Sequence, residues 1–465
     1  MEESREIQVE SVSETLISEE ELVQIQIDRI REYVTSGEAG AATELFGGLH
    51  PADQGEVLIE LDVDQREVML GVLTAEDTAE ILEHLEVEDA ATVLGGVRGV
   101  DLAIILDRTG PDVSADILKQ MPMDDATIVL DAMNDTTDVM ALLQYAEDTA
   151  GGLMTPEFAS VREDTSAANA LDLLRTRGPR VEDIGSLMVV DGDGRLIGSL
   201  SITRLALARP SRLVSEIMDG EVISVPVGTD QEACARLMDR YNLNYLPVLD
   251  EAGLPVGLIL VEDVVDVLRE EATEDMYRIS GIGGERLPGP IKNSVLRRLP
   301  WLYINLATTF LAALVISVFE GTIEKVVALA VFLPVVAGQG GIGGTQTLTL
   351  VVRSMALGEI FGRRGRRILL RESVLGIVHG VLLGIVVGLV AWGWKGNYML
   401  GVILGIAMLG NMLMAGLVGA GVPLLLRRLG LDPAVSSAIF VTTVTDVVGF
   451  LLFLGIASAL VSYLI

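Results

Sequence analysis

Residues 295–319 read VLRRLPWLYINLATTFLAALVISVF, and the composition turns over inside them. Arg297 and Arg298 close a charged segment, and from Leu299 to Phe319 the chain carries no formal charge. Four further apolar blocks follow at Val326–Val352, Val374–Trp394, Met399–Leu426 and Val435–Leu464. Each meets the requirement of roughly 20 mostly apolar residues for a helix that crosses a bilayer. Residues 299–465 are therefore expected to form a membrane domain of five helical spans. Basic residues set the orientation. Arg297 and Arg298 precede the first span, Arg363, Arg364, Arg366, Arg367 and Arg371 lie between the second and third, and Arg427 and Arg428 lie between the fourth and fifth. The opposite loops hold Lys325 and Lys395, with Trp392, Trp394 and Tyr398 as interfacial anchors. The excess of arginine places residues 1–298 in the cytosol and the C-terminus outside, in a multi-pass protein of the inner (plasma) membrane.

Upstream the charge reverses. Residues 1–290 hold 60 acidic and 20 basic residues, a net of −40, whereas residues 291–465 hold 6 and 13, a net of +7, which together give the −33 of the whole chain. Such an acidic, aromatic-poor half repels nucleic acid and anionic lipid, while its carboxylates suit hard divalent cations. Cys234 stands alone and cannot close an intrachain disulfide, as fits a reducing cytosol. No cleavable signal peptide is visible, and residues 1–21 are expected to be a mobile acidic leader.

Two features inside the spans suggest transport. The stretch PVVAGQGGIGGTQ, Pro334 to Gln346, gathers a proline and clustered glycines that weaken a helix and let carbonyls face a cavity, or else allow close helix packing. Gln339, Thr345 and Gln346 add polar groups that packing does not need, which favours the pore-lining alternative. The second feature is Asp446 within SSAIFVTTVTDVVGF. A carboxylate at membrane depth is costly unless it pairs or faces water, and no basic residue is expected at that depth. Thr442, Thr443 and Thr445 are nearby, with Thr443 three residues before Asp446 and on nearly the same face. Glu320, Glu359, Glu372 and Asp432 fall at span ends, where a solvated charge is ordinary, and His379 is expected to be a packed or pore-adjacent polar residue.

Residues 22–147 show short apolar runs between cap and turn signals such as LHPAD, LTAED and GPDVSADI, the pattern of stacked short helices in a superhelix. Residues 148–214 and 215–271 repeat one unit: a methionine-bearing lead-in, a strand, a helix, an apolar strand, a DxxG turn, a second strand and a final helix. This is the pattern of a tandem pair of cystathionine-β-synthase (CBS) domains. Such pairs often bind adenosine nucleotides through a Gly followed by Ser/Thr at +3 and Asp at +6. Here Gly198 and Ser201 are followed by Arg204, and Gly257 and Asp263 enclose Leu260, so each copy is incomplete; Ser201 and Asp263 remain nucleotide candidates, with ATP as the ligand. The final helix runs into EDVVDVLREEATEDMYRISGI, with like charges on shared faces. Residues 272–298 then form a connecting, plug-like region.

The chain resembles the MgtE family of magnesium channels from about Leu22 to its end. The motifs that carry this are EDTAGGLMTPEF, EATEDMYRISG, RRLPWL, the P-x5-GG-x2-G-x-Q pattern, LGLDPAVSS and TTVTDVVGF. The resemblance implies a multidomain membrane protein, with an all-α N-terminal superhelical domain, an α/β CBS pair and a five-helix transmembrane domain. It also implies a homodimer whose pore is lined by the second and fifth spans and closed by cytosolic Mg²⁺, which is both transported and regulatory. Carried over by position, Asp446 resembles the aspartate that holds the hydrated ion, with Thr443, Thr345 and Gln346 as pore lining. Asp230, Glu232, Asp263, Asp266, Glu271, Glu274 and Asp275 resemble regulatory Mg²⁺ ligands, and Asp107 is a candidate from the helical domain. The family usually carries asparagines in the Gly-rich segment where this sequence has Ile342 and Thr345. Passage of Co²⁺, Mn²⁺ or Zn²⁺, a coupled exchanger, or a non-transporting Mg²⁺ or nucleotide sensor are the competing readings. An enzyme is not expected, since no catalytic triad, Cys/His pair or complete phosphate loop occurs.

Overall fold

The computed structural model describes residues 19–97, 99–177, 185–282, 291–356, 360, 364–435 and 438–465. Most of the expected leader, the segment 283–290 of the connector, Glu359 and Arg363 lie outside these. The chain divides into two compact units, Met1–Val264 and Val265–Ile465.

The first unit opens with short helices, from Glu19–Ser36 to Thr137–Leu142. Their sequences explain their brevity. Pro51 and Pro111 open helices at a position where a missing N–H is harmless, and Thr74 and Asp77 form a reciprocal capping box. Many of the helices pack on the helix two further along, for example Pro51–Glu60 on Ala75–Leu82 and that one on Gly99–Leu106. This builds the expected superhelix around Ile30, Phe46, Leu58, Met69 and Ile81.

Two three-stranded sheets follow. In the first, β1 (Ser160–Arg162) runs parallel to β2 (Ser186–Val190), which forms a hairpin with β3 (Leu196–Ser201). In the second, β4 (Val225–Pro226), β5 (Tyr245–Leu249) and β6 (Pro255–Leu260) repeat that topology. The two DxxG turns are alike. Asp191 Oδ1 accepts from the N–H groups of Asp193 and Arg195, Asp250 Oδ1 from those of Ala252 and Leu254, and Gly194 and Gly253 take φ of 85° and 83°.

The lead-ins are exchanged between the repeats. Thr155 N, before the first repeat, donates to Leu258 O of β6 at 2.8 Å, and Ser199 N of β3 donates to Asp219 O, before the second repeat, at 2.9 Å. Each lead-in methionine then covers a glycine of the other repeat's hairpin: a Cβ at Gly257 would lie 2.6 Å from Met154 Sδ, and one at Gly198 2.8 Å from Met218 Sδ. Packing alone thus requires the two glycines that the nucleotide motif also uses.

The second unit begins inside the long helix Val261–Ser280 and contains five helices of membrane-spanning length. The spans are Ile291–Val318, Ala328–Ala356, Arg364–Lys395, Tyr398–Arg428 and Ala438–Ala459. Residues 291–298, expected in the connector, form the first two turns of the first span's helix. The third and fourth spans meet along glycines. A Cβ at Gly376, Gly384 or Gly388 would come within 2.5–2.8 Å of a backbone oxygen of Met412, Gly405 or Gly401. Small residues thus let the two backbones touch where lipid offers no competing hydrophobic drive.

Candidate functional site

The second span remains helical through Pro334 and all its glycines. The expectation that these residues open the helix toward a cavity is therefore corrected, and the reason is packing. A Cβ at Gly344 would lie 2.5 Å from Val441 Cγ1, and one at Gly341 3.2 Å from Thr442 Cγ2, while Gly338 faces open space. One glycine face admits the fifth span and the other leaves room beside it.

That room is a cleft of about 870 Å³ between the second and fifth spans. Gly338, Thr345 and Gln346 line it from one side and Thr442 and Asp446 from the other, with Arg353 at one end. The two helices run antiparallel, since Gly344 meets Val441 and Gly449 meets Val336. Asp446, one turn beyond Thr442, is thus near the level of Gly338, and Arg353 lies roughly 20 Å away along the span at 1.5 Å per residue. The Asp446 carboxylate is partly buried and has no hydrogen-bond or ion-pair partner among the described residues.

The threonines around it are turned into acceptors. Thr345 Oγ1 donates to Gly341 O at 2.9 Å and Thr442 Oγ1 to Ile439 O at 3.1 Å. A hydroxyl whose hydrogen is held by the backbone presents lone pairs to whatever lies beside it, as a cation or its water requires. Thr443 does not line the cleft; its Oγ1 donates to Ile439 O at 2.6 Å, and Thr442, at the i−4 position from Asp446, lies on the cleft face instead. Ile342 also lines the cleft and is 58% exposed.

Three other polar residues of the spans depart from expectation. Glu372 is no solvated terminal charge: it is 5% exposed, accepts from Thr347 Oγ1 at 3.2 Å and pairs with Arg371. It lies two turns inside the helix, where the fourth span covers it. His379 is exposed on the third span, neither packed nor beside the cleft. Asn411, which the sequence reading passed over, is fully buried in the fourth span, and its Nδ2 donates to Val336 O at 2.8 Å.

The end of the helix Val261–Ser280 reaches the cleft helices. Ile279 packs against a cluster of Leu348, Val352, Ala434 and Val441, while Arg278 pairs with both Glu274 and Asp432. Asp432 is thus not a free terminal charge.

The candidate regulatory carboxylates are dispersed. Asp107 accepts from the backbone and side chain of Asn134, Asp230 caps the helix Gln231–Tyr241 through Ala233 N, and Glu232 pairs with Arg236 at 2.5 Å. Asp263 accepts from Leu260 N at 2.9 Å and caps its own helix, Glu274 pairs with Arg278, and Asp266 is exposed. Glu271 and Asp275 lie partly buried along the same helix, and each is engaged in a further interaction. Ser201, at the start of the helix Ile202–Leu207, makes no capping bond with its side chain. Among the described residues no three His, Cys, Asp or Glu side chains gather as a metal cage.

Comparison with known proteins gives this architecture a family. The MgtE divalent cation transporter family matches residues 333–456, which contain the cleft; the MgtE intracellular N domain matches 49–148, and CBS domains match 150–211 and 214–270. A magnesium transporter MgtE of Thermus thermophilus is 42% identical over 328 residues, 70% of this chain and 72% of that protein. One of Bacillus subtilis is 32% identical over 330 residues, 70% and 73% of the two chains. A crystal structure of the cytosolic domain of the Mg²⁺ channel MgtE in complex with ATP aligns with 52% of this chain and 99% of its own, at 38% identity and a TM-score of 0.48. The chain is accordingly a multi-pass membrane protein of a transporter rather than an enzyme family, and it belongs to the MgtE divalent cation transporters.

Proposed function

We propose that the protein imports Mg²⁺ through the inner membrane as a channel-like homodimer, closed by Mg²⁺ on its cytosolic side. The observation that carries this reading is Asp446, an unpartnered carboxylate at membrane depth facing an 870 Å³ cleft. An ionised group in such a place is retained for an ion pathway. In a twofold dimer the carboxylate appears twice about one axis. Two carboxylates ringed by acceptor hydroxyls hold Mg²⁺ through its water shell, which this ion gives up reluctantly.

Closure follows from the charge of the cytosolic half. With a net of −40 over residues 1–290, its acidic faces repel until divalent cations bridge them. Because most of the candidate ligands already have local partners in one chain, bridging ions are completed where acidic surfaces meet, between domains or between protomers. The helix that carries Asp263, Asp266, Glu271, Glu274 and Asp275 ends on the cleft helices through Ile279 and Arg278. A change in repulsion along it is therefore delivered to the path.

Ile342 favours a second reading for the ion. Its exposed side chain lies in the cleft, at a place where the resemblance leads one to expect an amide, so a broader divalent selectivity including Co²⁺, Mn²⁺ or Zn²⁺ follows. Potential-driven flux into proteoliposomes, with low and then high Mg²⁺ on the cytosolic face and Co²⁺ as competitor, separates these cases. Mg²⁺ flux that stops at high cytosolic Mg²⁺ supports the proposal. Co²⁺ flux without Mg²⁺ flux reassigns the ion, and flux that follows a proton or Na⁺ gradient reassigns the class.

A further inference from the structure

Asn411 is an amide in the middle of the fourth span, Tyr398–Arg428, with none of its surface exposed. A buried amide is expensive in apolar surroundings unless both of its ends are bonded. Here one end is: Nδ2 donates to Val336 O of the second span at 2.8 Å. The other, Oδ1, has no partner. Turning the amide over would bring two carbonyl oxygens together, so Val336 O fixes which end points where.

The surroundings are shaped to this one side chain. A Cβ at Gly340 of the second span would fall inside contact distance of Asn411 Nδ2, and one at Gly449 of the fifth span would lie 2.7 Å from the same atom. The carboxamide therefore fills a slot that two glycines, on the two helices lining the cleft, leave open. Its depth matters. Gly449 is three residues from Asp446, and Gly340 adjoins Gly341, which faces Thr442 across the same pair of helices. Asn411 thus stands at the level of the carboxylate, buried and outside the lining of the cleft.

We infer that Asn411 is a positioning residue for cation selectivity: wedged between Gly340 and Gly449 and bonded to Val336 O, it sets the spacing of the second and fifth spans around Asp446. The inference rests on the Asp446 pathway proposed above. Discrimination between hydrated cations depends on the distance between opposed ligand groups, so a side chain that never touches the ion can set it by holding the helices apart. A wholly apolar wedge would fill the slot without fixing height or rotation; the bond to Val336 O fixes both.

The test uses the full chain in proteoliposomes and reads the ratio of Mg²⁺ to Co²⁺ flux at one membrane potential, alongside the amount of monodisperse protein. Asn411→Leu keeps the shape and removes the bond; it is expected to shift the ratio by about fivefold or more, a size typical of small changes in a discriminating site. Gly340→Ala, which displaces the wedge, shifts the ratio as well, and Gly340→Ala combined with Asn411→Ala relieves the clash without restoring the bond to Val336 O, so the ratio stays shifted. A structural role alone would lower both fluxes in proportion to the folded protein and leave the ratio unchanged in every variant, which overturns the inference. Should the Asn411→Leu chain fail to assemble, the Gly340/Asn411 pair decides by the same ratio. Asp446→Asn run in parallel separates the two claims: undiminished flux there removes the pathway itself, whereas lost flux with an unmoved ratio in the Asn411 variants removes only the role of the amide.

Discussion

Asp446 and Glu372 are both carboxylates within spans, and their neighbours assign them different work. Glu372 is enclosed, with Thr347 and Arg371 as partners, and serves to hold the second span against the third. Asp446 is only partly buried, has no partner among the described residues and is left to the cleft. A third carboxylate, Asp112 in the first unit, bears on stability. Burial, opposed by bonds from its own backbone and that of Val113 and aided by Asp116 and Glu157, raises it from 3.8 to about 6. The folded chain then holds a proton that the unfolded chain has already released, so stability declines as pH rises from about 4 to about 6. Asp112→Asn is expected to remove that decline and to stabilise the first unit by about 2 kcal/mol at neutral pH, measured as the difference in urea midpoint between pH 4 and pH 7. A variant whose pH dependence matches wild type would contradict this. At this scale the sequence exposed Asp446, because a carboxylate stands out in an apolar run. It concealed Asn411, since a neutral amide among Leu, Met and Gly raises no signal, and Glu372, since its place just before the apolar block Val374–Trp394 suggested a solvated end.

Among the elements, the third and fourth spans depend on absent side chains. Gly376, Gly384 and Gly388 each sit against a backbone oxygen of the fourth span, whereas Gly393, further along the same helix, has nothing within 4 Å. Gly384→Ala is expected to cost about 1–3 kcal/mol through forced separation of the helices. Gly393→Ala is expected to be neutral or slightly stabilising, because it adds helix propensity in open space. Thermal unfolding of the two variants in detergent compares them directly, and equal midpoints would contradict the account. The five spans were legible from apolar length, and the two CBS units from alternating strands and repeated DxxG turns. The exchange of Met154 and Met218 lead-ins was not, because pairing that crosses from one repeat to the other, Thr155 with Leu258 and Ser199 with Asp219, leaves no local pattern. The second span was misjudged for a related reason: Pro334 and the glycines weaken an isolated helix, but Val441, Thr442 and Asn411 pack against this one and hold it.

For the whole molecule, the division of charge is the organising fact. An acidic half joined to a membrane half of net +7 is the division on which the proposed sensing and conduction of one kind of ion rest. The order of the parts was readable from composition and repeated motifs, but the arrangement of the candidate carboxylates was not, since Asp107, Asp230 and Glu232 prove to be engaged in caps and ion pairs within one chain. The central claim is that divalent cations pass beside Asp446. The most direct measurement is potential-driven Mg²⁺ flux through wild type and Asp446→Asn in matched proteoliposomes at low cytosolic Mg²⁺. The account predicts flux in wild type and its loss by about a hundredfold or more in the variant, as expected when the charge that holds the ion is removed from a low-dielectric path. Equal flux in the two, with both proteins folded, would contradict it.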